Sequence, residues 1–227
     1  MRVLIACEFS GRVRDAFIKK GHDAVSCDLL PTEQPGPHIQ GDVLEILNDG
    51  WDLMIAHYEC RYMANSGVRW LHVDINRWFK LFEAAEIYNK IKNANIPKKA
   101  MENSIFHKYA IALCGRQDQV VQPWMFGSDE SKGIGLQLIG LPKLVPSVTK
   151  KPSGVKQSCW KMPPSPTRAK DRARFDLYVA DAMAEQWGTD TKELKHESNI
   201  VTSTVGKFDS QRAKNHRDAI LANKVSR

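Results

Sequence analysis

Arg2-Val3-Leu4-Ile5-Ala6-Cys7, followed at once by Glu8-Phe9-Ser10-Gly11, is the stretch on which the fold turns. An unbroken apolar run ending in a small-residue turn reads as a strand buried on both faces. From Gly11 to Lys20, Val13, Ala16 and Phe17 recur at helical spacing, and Gly21 supplies a stop. Asp23 to Cys27 repeats the strand pattern and ends at Asp28. Three prolines and a glycine make Pro31 to Pro37 a loop.

The alternation continues downstream. Asp42 to Leu47 is a short turn or helix, and Trp51 to His57 is a buried strand. Asp74 to Asn93 is a long amphipathic helix with Trp78, Leu81, Phe82, Ala85 and Tyr88 on or near one face. Lys99 to Glu102 is a further short strand. Strands alternating with helices predict an α/β fold with a mostly parallel sheet and helices on both faces. Ligands of such sheets bind beyond the carboxyl ends of the strands. Attention therefore falls on Glu8–Gly11, Asp28, Asp42, His57–Cys60 and Glu102–Ser104.

The second half changes character. Gln122-Pro123-Trp124, Lys132-Gly133-Ile134-Gly135 and the Pro- and Lys-rich stretch Leu141 to Pro166 predict short strands and long loops. A helix from about Phe175 to Trp187 closes the domain, here placed at residues 1–190. Residues 191–227 form a polar, basic extension that either carries a short helix over Ser210–Asn223 or stays mobile.

Composition bounds the rest. The 227 residues are 42% hydrophobic, enough for one core. No run of about 18 apolar residues is present, so no membrane span is expected. Glu8 interrupts the N-terminal apolar run too soon for a signal peptide. Five cysteines, Cys7, Cys27, Cys60, Cys114 and Cys159, show no paired spacing. That argues against a disulfide framework and a metal site, and for a reducing cytoplasm. A net charge of +7 is mild support for a polyanionic partner such as nucleic acid.

Three corners follow successive strands. The Glu8-Phe9-Ser10-Gly11 turn lets backbone N–H groups approach a ligand closely. Asp28, about 20 residues on, is placed to accept ribose hydroxyls, or to cap a turn. Asp42, in Gly41-Asp42-Val43, could take an adenine amino group or merely cap a helix.

With these corners, a cysteine one loop past the Trp51–His57 strand and the Glu102-Asn103 pair, the chain resembles the DNA cytosine-5 methyltransferases, in particular their small phage- and prophage-borne members. The resemblance covers roughly residues 1–188. It is strong over Val3–Asp28, Gly41–His57 and Ala64–Gly67. It is good at Gln122-Pro123-Trp124, Lys161-Met162-Pro163-Pro164-Ser165-Pro166 and Ala182-Met183-Ala184-Glu185-Gln186-Trp187. It implies a class I S-adenosylmethionine-dependent methyltransferase fold, S-adenosylmethionine as cofactor and DNA as substrate. The same resemblance places Glu8, Phe9, Ser10, Gly11 and His57 at the cofactor, with Asp28 on ribose and Asp42 near adenine. Cys60 would add to carbon-6 of cytosine and Glu102 would protonate ring N3, because carbon-5 is too weak a nucleophile unaided. The base must also leave the duplex.

The chain departs from the pattern at the chemical end. Relatives carry His-Pro-Pro-Cys where this chain has His57-Tyr58-Glu59-Cys60. Two fixed φ angles are lost, and a carboxylate beside a thiol opposes thiolate formation. Glu102-Asn103-Ser104 replaces Glu-Asn-Pro or Glu-Asn-Val, and a supporting arginine pair has no match beyond Arg116 as a candidate. Basic residues including Arg168, Lys170 and Arg172, interleaved with Trp124 and Trp160, suit phosphate tracking with base stacking, or a solvated basic face. Three functions stay open: an active cytosine-5 methyltransferase, a cofactor- or DNA-binding protein that has lost methyl transfer, and a methyltransferase with another target.

Overall fold

The computed structural model describes residues 1–189. The expected helix over Ser210–Asn223, like the whole 191–227 extension, lies outside the described residues. The strands are β1 (Arg2–Ala6), β2 (Asp23–Asp28), β3 (His38–Gln40), β4 (Leu53–Ala56), β5 (Lys98–Asn103), β6 (Gln119–Val121) and β7 (Ile134–Ile139). They form one sheet in the order β3-β2-β1-β4-β5-β7-β6. Only β7 runs against its neighbours; the pairings from β3 through β5 are all parallel. The helices are α1 (Arg12–Lys19), α2 (Asn76–Lys92), α3 (Lys108–Cys114), α4 (Ser158–Lys161), α5 (Arg168–Ala173) and α6 (Leu177–Trp187). The expected α/β class, a mostly parallel sheet covered on both faces, is what the structure shows.

The strand period of two sorts the core. Val3, Ile5, Leu53, Ile55 and Ala100 face one way, against Val13 and Phe17 of α1 and Val179, Met183 and Trp187 of α6. Leu4, Ala6, Met54, Ala56 and Met101 face the other, against Leu81, Ala85 and Tyr88 of α2 and Ala110 and Cys114 of α3. Each fully buried large side chain contributes about 1.5–3 kcal/mol, so β1 and β4, apolar on both faces, are where the fold is anchored.

Several details differ from the sequence expectation. Phe82, expected on the buried face of α2, is 52% exposed. Leu81, Ala85 and Tyr88 set the buried stripe at i, i+4 and i+7, and position 82 is turned about 100° away from it. Trp78 is half-buried and donates its indole N–H to Leu71 O at 2.7 Å. The strand β3 emerges from the end of the proline-rich loop, and a 3₁₀ helix over Asn65–His72 was not foreseen.

Candidate functional site

Glu8 follows β1 and is buried. Its carboxylate accepts from Ser10 Oγ at 2.8 Å, Val13 N at 2.9 Å and Arg14 N at 3.3 Å, so it closes the first turn of α1. Glu8 thereby meets two of the N–H groups that a helix start leaves unpaired. Gly11 begins this helix at φ +73°, in the left-handed region that suits glycine. Just ahead of the turn, Cys7 takes φ +57°, the only non-glycine with positive φ among the described residues. Burial first, then the charges of Asp28, Cys27 and Asp42, push its thiol up to about 12.

Asp28 closes β2, and its Oδ1 accepts from Leu30 N at 2.9 Å. Burial raises its carboxyl above the ordinary value, against that N–H and the charge of His38. Asp42 Oδ1 accepts from Leu44 N at 3.0 Å and caps the turn Val43–Glu45. Glu8, Phe9, Ser10, Gly11 and Asp28 thus meet at one end of the sheet, with Asp42 close enough for its charge to reach Cys7.

The sequence reading missed the residue that organises this corner. Arg14 is fully buried. Its guanidinium donates to Ser26 Oγ, Thr32 Oγ1, Gln34 O and Pro35 O at 3.1–3.3 Å, and to Asp15 Oδ1 at 2.8 Å. A Cβ on Gly11 would lie 2.5 Å from its Nη2, and one on Gly36 2.8 Å from it. Arg14 therefore pins the loop after Asp28 onto the glycine turn.

At the chemical end, β4 and β5 run in parallel with Ala56 beside Met101, which brings the next residues, His57 and Glu102, together. His57 Nδ1 lies 3.0 Å from Glu102 Oε2, with the side chains only 9% and 11% exposed. Burial works against the Glu102 carboxylate, but the His57 hydrogen bond and charge, helped by Lys132, hold its carboxyl below the usual value. The His57 ring packs on Phe175 at 4.6 Å, and its Nε2 is buried with no hydrogen-bond partner among the described residues. The structure therefore sets His57, expected at the cofactor, directly against Glu102.

Cys60 is exposed on the loop after β4. That loop is laced to the one after β5: Asn103 Nδ2 donates to Tyr58 O at 3.0 Å, His107 N to Met63 O at 3.1 Å and Asn65 N to Ile105 O at 2.7 Å. These bonds hold the two loops together. Glu59 is engaged with Arg61, Oε1 to Nε at 3.3 Å, so its charge beside Cys60 is partly countered.

The three basic candidates have different surroundings. Arg168 Nε donates to Met162 O at 2.8 Å. Lys170 Nζ sits 3.1 Å from Glu33 and 5.4 Å from the centre of the Phe9 ring. Arg174 grips both oxygens of Glu33 at 2.7 and 2.8 Å, and these contacts hold the Glu33 carboxyl down at about 2. As Glu33 N donates to Phe9 O at 2.8 Å, α5 is tied directly to the glycine turn. Arg172 instead lines a cleft of about 400 Å³ with Ser104, Ser131, Lys132, Gly133, Gln157, Cys159 and Trp160. Among the described residues no cluster of His, Cys, Asp and Glu is placed to hold a metal ion, and no helix is long and apolar enough to cross a membrane.

No known family matches the sequence, and no curated protein matches it either. Among solved structures, a prophage-encoded E. coli protein assigned as a DNA modification methyltransferase is similar, with 14% identity and a TM-score of 0.43 over 66% of this chain and 52% of that one. The Entamoeba histolytica methyltransferase EhMeth is similar at 14% identity and a TM-score of 0.44, over 67% and 57%. The chain thus matches little more than half the length of either.

Proposed function

We propose that this protein is an S-adenosylmethionine-dependent DNA methyltransferase acting on carbon-5 of cytosine, with residues 1–190 as its catalytic domain and 191–227 as a basic extension. The observation that supports it best is an exposed thiol, Cys60, on the loop after β4, with a buried, partnered carboxylate, Glu102, near the end of the adjoining strand β5, whose following loop is hydrogen-bonded to the Cys60 loop. On this reading Cys60 Sγ forms a bond to carbon-6. The electrons of the 5,6 double bond pass through the ring to N3, which takes up one proton, and carbon-5 becomes the nucleophile. When methyl transfer is complete, N3 returns its proton, and loss of the carbon-5 proton with departure of the Cys60 sulfur as thiolate restores the ring. Glu102 and His57 hold or deliver the proton at N3 as a pair.

The corner fits the cofactor in part. Asp28 is half-buried at the end of β2, and Leu29 and Leu30 are 73% and 48% exposed on the same rim, which suits a ribose and a purine ring. Glu8 accepts from Ser10 and from the first turn of α1, so on this reading it shapes the turn that faces the methionine part of the cofactor. S-adenosylmethionine, when bound, supplies the methyl group. DNA-binding roles for Arg168, Lys170 and Arg172 belong to the same proposal.

One observation favours the second reading, a binding protein without methyl transfer: Glu102 is held ionised, and an ionised carboxylate has no proton to give. Incubation with labelled S-adenosylmethionine and DNA containing 5-fluorocytosine separates the two. A covalent adduct that disappears in Cys60→Ala supports methyl transfer. Cofactor binding with neither adduct nor label transfer leaves the binding protein.

A further inference from the structure

The cleft beside Lys132 belongs to neither the glycine turn nor the Cys60 loop. Its walls are Ser104, two residues beyond Glu102, Ser131–Gly133 just ahead of β7, Gln157, Cys159 and Trp160 around α4, and Arg172 of α5. A volume of about 400 Å³ is that of a small-molecule site. The indole of Trp160 is 72% exposed. An aromatic face left in water beside two cations is unusual for a merely solvated surface.

The hydrogen bonding is more telling. Lys170 and Arg174 are committed to Glu33, and Arg168 to Met162. By contrast, the Arg172 guanidinium, the Gln157 amide and the Trp160 indole N–H have no protein partner among the described residues. Lys132 donates once, to Arg172 O at 3.3 Å, and keeps two further N–H groups. Ser131 Oγ, held by Gln122 Oε1 at 2.9 Å, keeps its lone pairs. The lining therefore offers two cations, one stacking face and one amide that can both donate and accept.

We propose that this cleft binds a single unpaired nucleotide of the DNA strand next to the target base, with its phosphate between Lys132 and Arg172, its base stacked on Trp160 and its edge read by Gln157. The proposal rests on the methyltransferase reading for the identity of the nucleic acid as DNA. A phosphate matches the cation pair, because charge-assisted bonds are the strong ones. Stacking accepts any base, while an amide forms paired hydrogen bonds that differ between bases. Lys132 also acts on Glu102, so a phosphate drawn to Lys132 would be felt at the chemical end.

The test is fluorescence anisotropy of the full chain with labelled single-stranded DNA of about eight nucleotides, in each homopolymer and in RNA of the same sequences. Trp160→Ala is expected to weaken all DNA strands about tenfold or more. Arg172→Ala should weaken them too and reduce the salt slope by about one. Gln157→Ala should level the differences between bases and leave average affinity nearly intact. All three side chains lack partners among the described residues, so unchanged circular dichroism is expected of each variant. Wild-type affinity in both Trp160→Ala and Arg172→Ala overturns the proposal, and tighter binding of RNA overturns the assignment to DNA. The 5-fluorocytosine adduct is scored separately: its absence alongside Trp160-dependent binding removes methyl transfer and leaves the cleft standing.

Discussion

His57 Nδ1 and Glu102 Oε2 stand 3.0 Å apart across the seam between β4 and β5, both nearly out of reach of water. Neither side chain has this environment without the other. A buried carboxylate deprived of its partner costs about 3–5 kcal/mol, more than the intact pair contributes over a nonpolar replacement.

His57→Leu should therefore destabilise the fold by about 3 kcal/mol at neutral pH. The sign with pH follows from Glu102. Its carboxyl is lowered in the folded state, so the stabilisation is present above the ordinary carboxyl range and is lost as pH falls through the folded value. In the variant, burial alone acts on Glu102 beside Lys132, and the deficit should shrink toward pH 4.5. Urea unfolding at pH 7.5 and 4.5 measures both. A deficit that is equal at the two pH values would mean that the pair does not carry the effect.

Thiol chemistry separates the cysteines. Burial pushes Cys7 up to about 12 and Cys27 and Cys114 up to about 11, whereas Cys60 is exposed. Iodoacetamide at pH 8, read by mass spectrometry, should label Cys60 first and leave Cys7, Cys27 and Cys114 unlabelled. Arg61→Ala leaves Glu59 unpaired beside Cys60 and should slow that labelling several-fold. Labelling at an unchanged rate would show that Arg61 does not screen Glu59.

Arg14 makes a second structural prediction. Arg14→Met removes the donors to Gln34 O, Pro35 O, Thr32 and Ser26 while keeping much of the buried stem. The carbonyls of a pinned loop lose their partners, at about 1–3 kcal/mol each where buried. The expected result is a lower melting temperature together with weaker S-adenosylmethionine binding by calorimetry, because the loop after Asp28 loosens. Lower stability with unchanged cofactor affinity would confine Arg14 to the fold.

These residues mark where the sequence was readable. The strands β1, β2 and β4 could be seen from their apolar residues and β5 as a short strand leading into Glu102-Asn103, and the corners at Glu8, Asp28, Cys60 and Glu102 followed from their ends. The strand β7 could not, because it carries Gln137 at 6% exposure, a polar residue in a central strand. Its amide is satisfied by Tyr88, Cys114 and Arg116, partners 21–49 residues away. Arg14 looks like an ordinary solvent-facing residue of an amphipathic helix until the loop 20 residues later covers it. The His57–Glu102 pair depends on the β4–β5 register, which no single segment encodes.

The last prediction concerns Glu33, which holds Lys170 and Arg174 against the glycine turn. With its carboxyl held down at about 2, Glu33 stabilises the fold above the ordinary carboxyl range, and that contribution fades as pH falls toward 2. Glu33→Gln should lower the melting temperature at pH 7 and bring variant and wild type together near pH 2–3. It also frees Lys170 and Arg174 for phosphate. If α5 lies along DNA, the variant should bind duplex several-fold more tightly at low salt, with a salt slope steeper by about one or two. The two readouts diverge usefully. Lost stability with unchanged DNA affinity makes the Glu33 contact a purely structural latch, whereas lost stability with tighter binding shows that the carboxylate occupies a place that a phosphate would take.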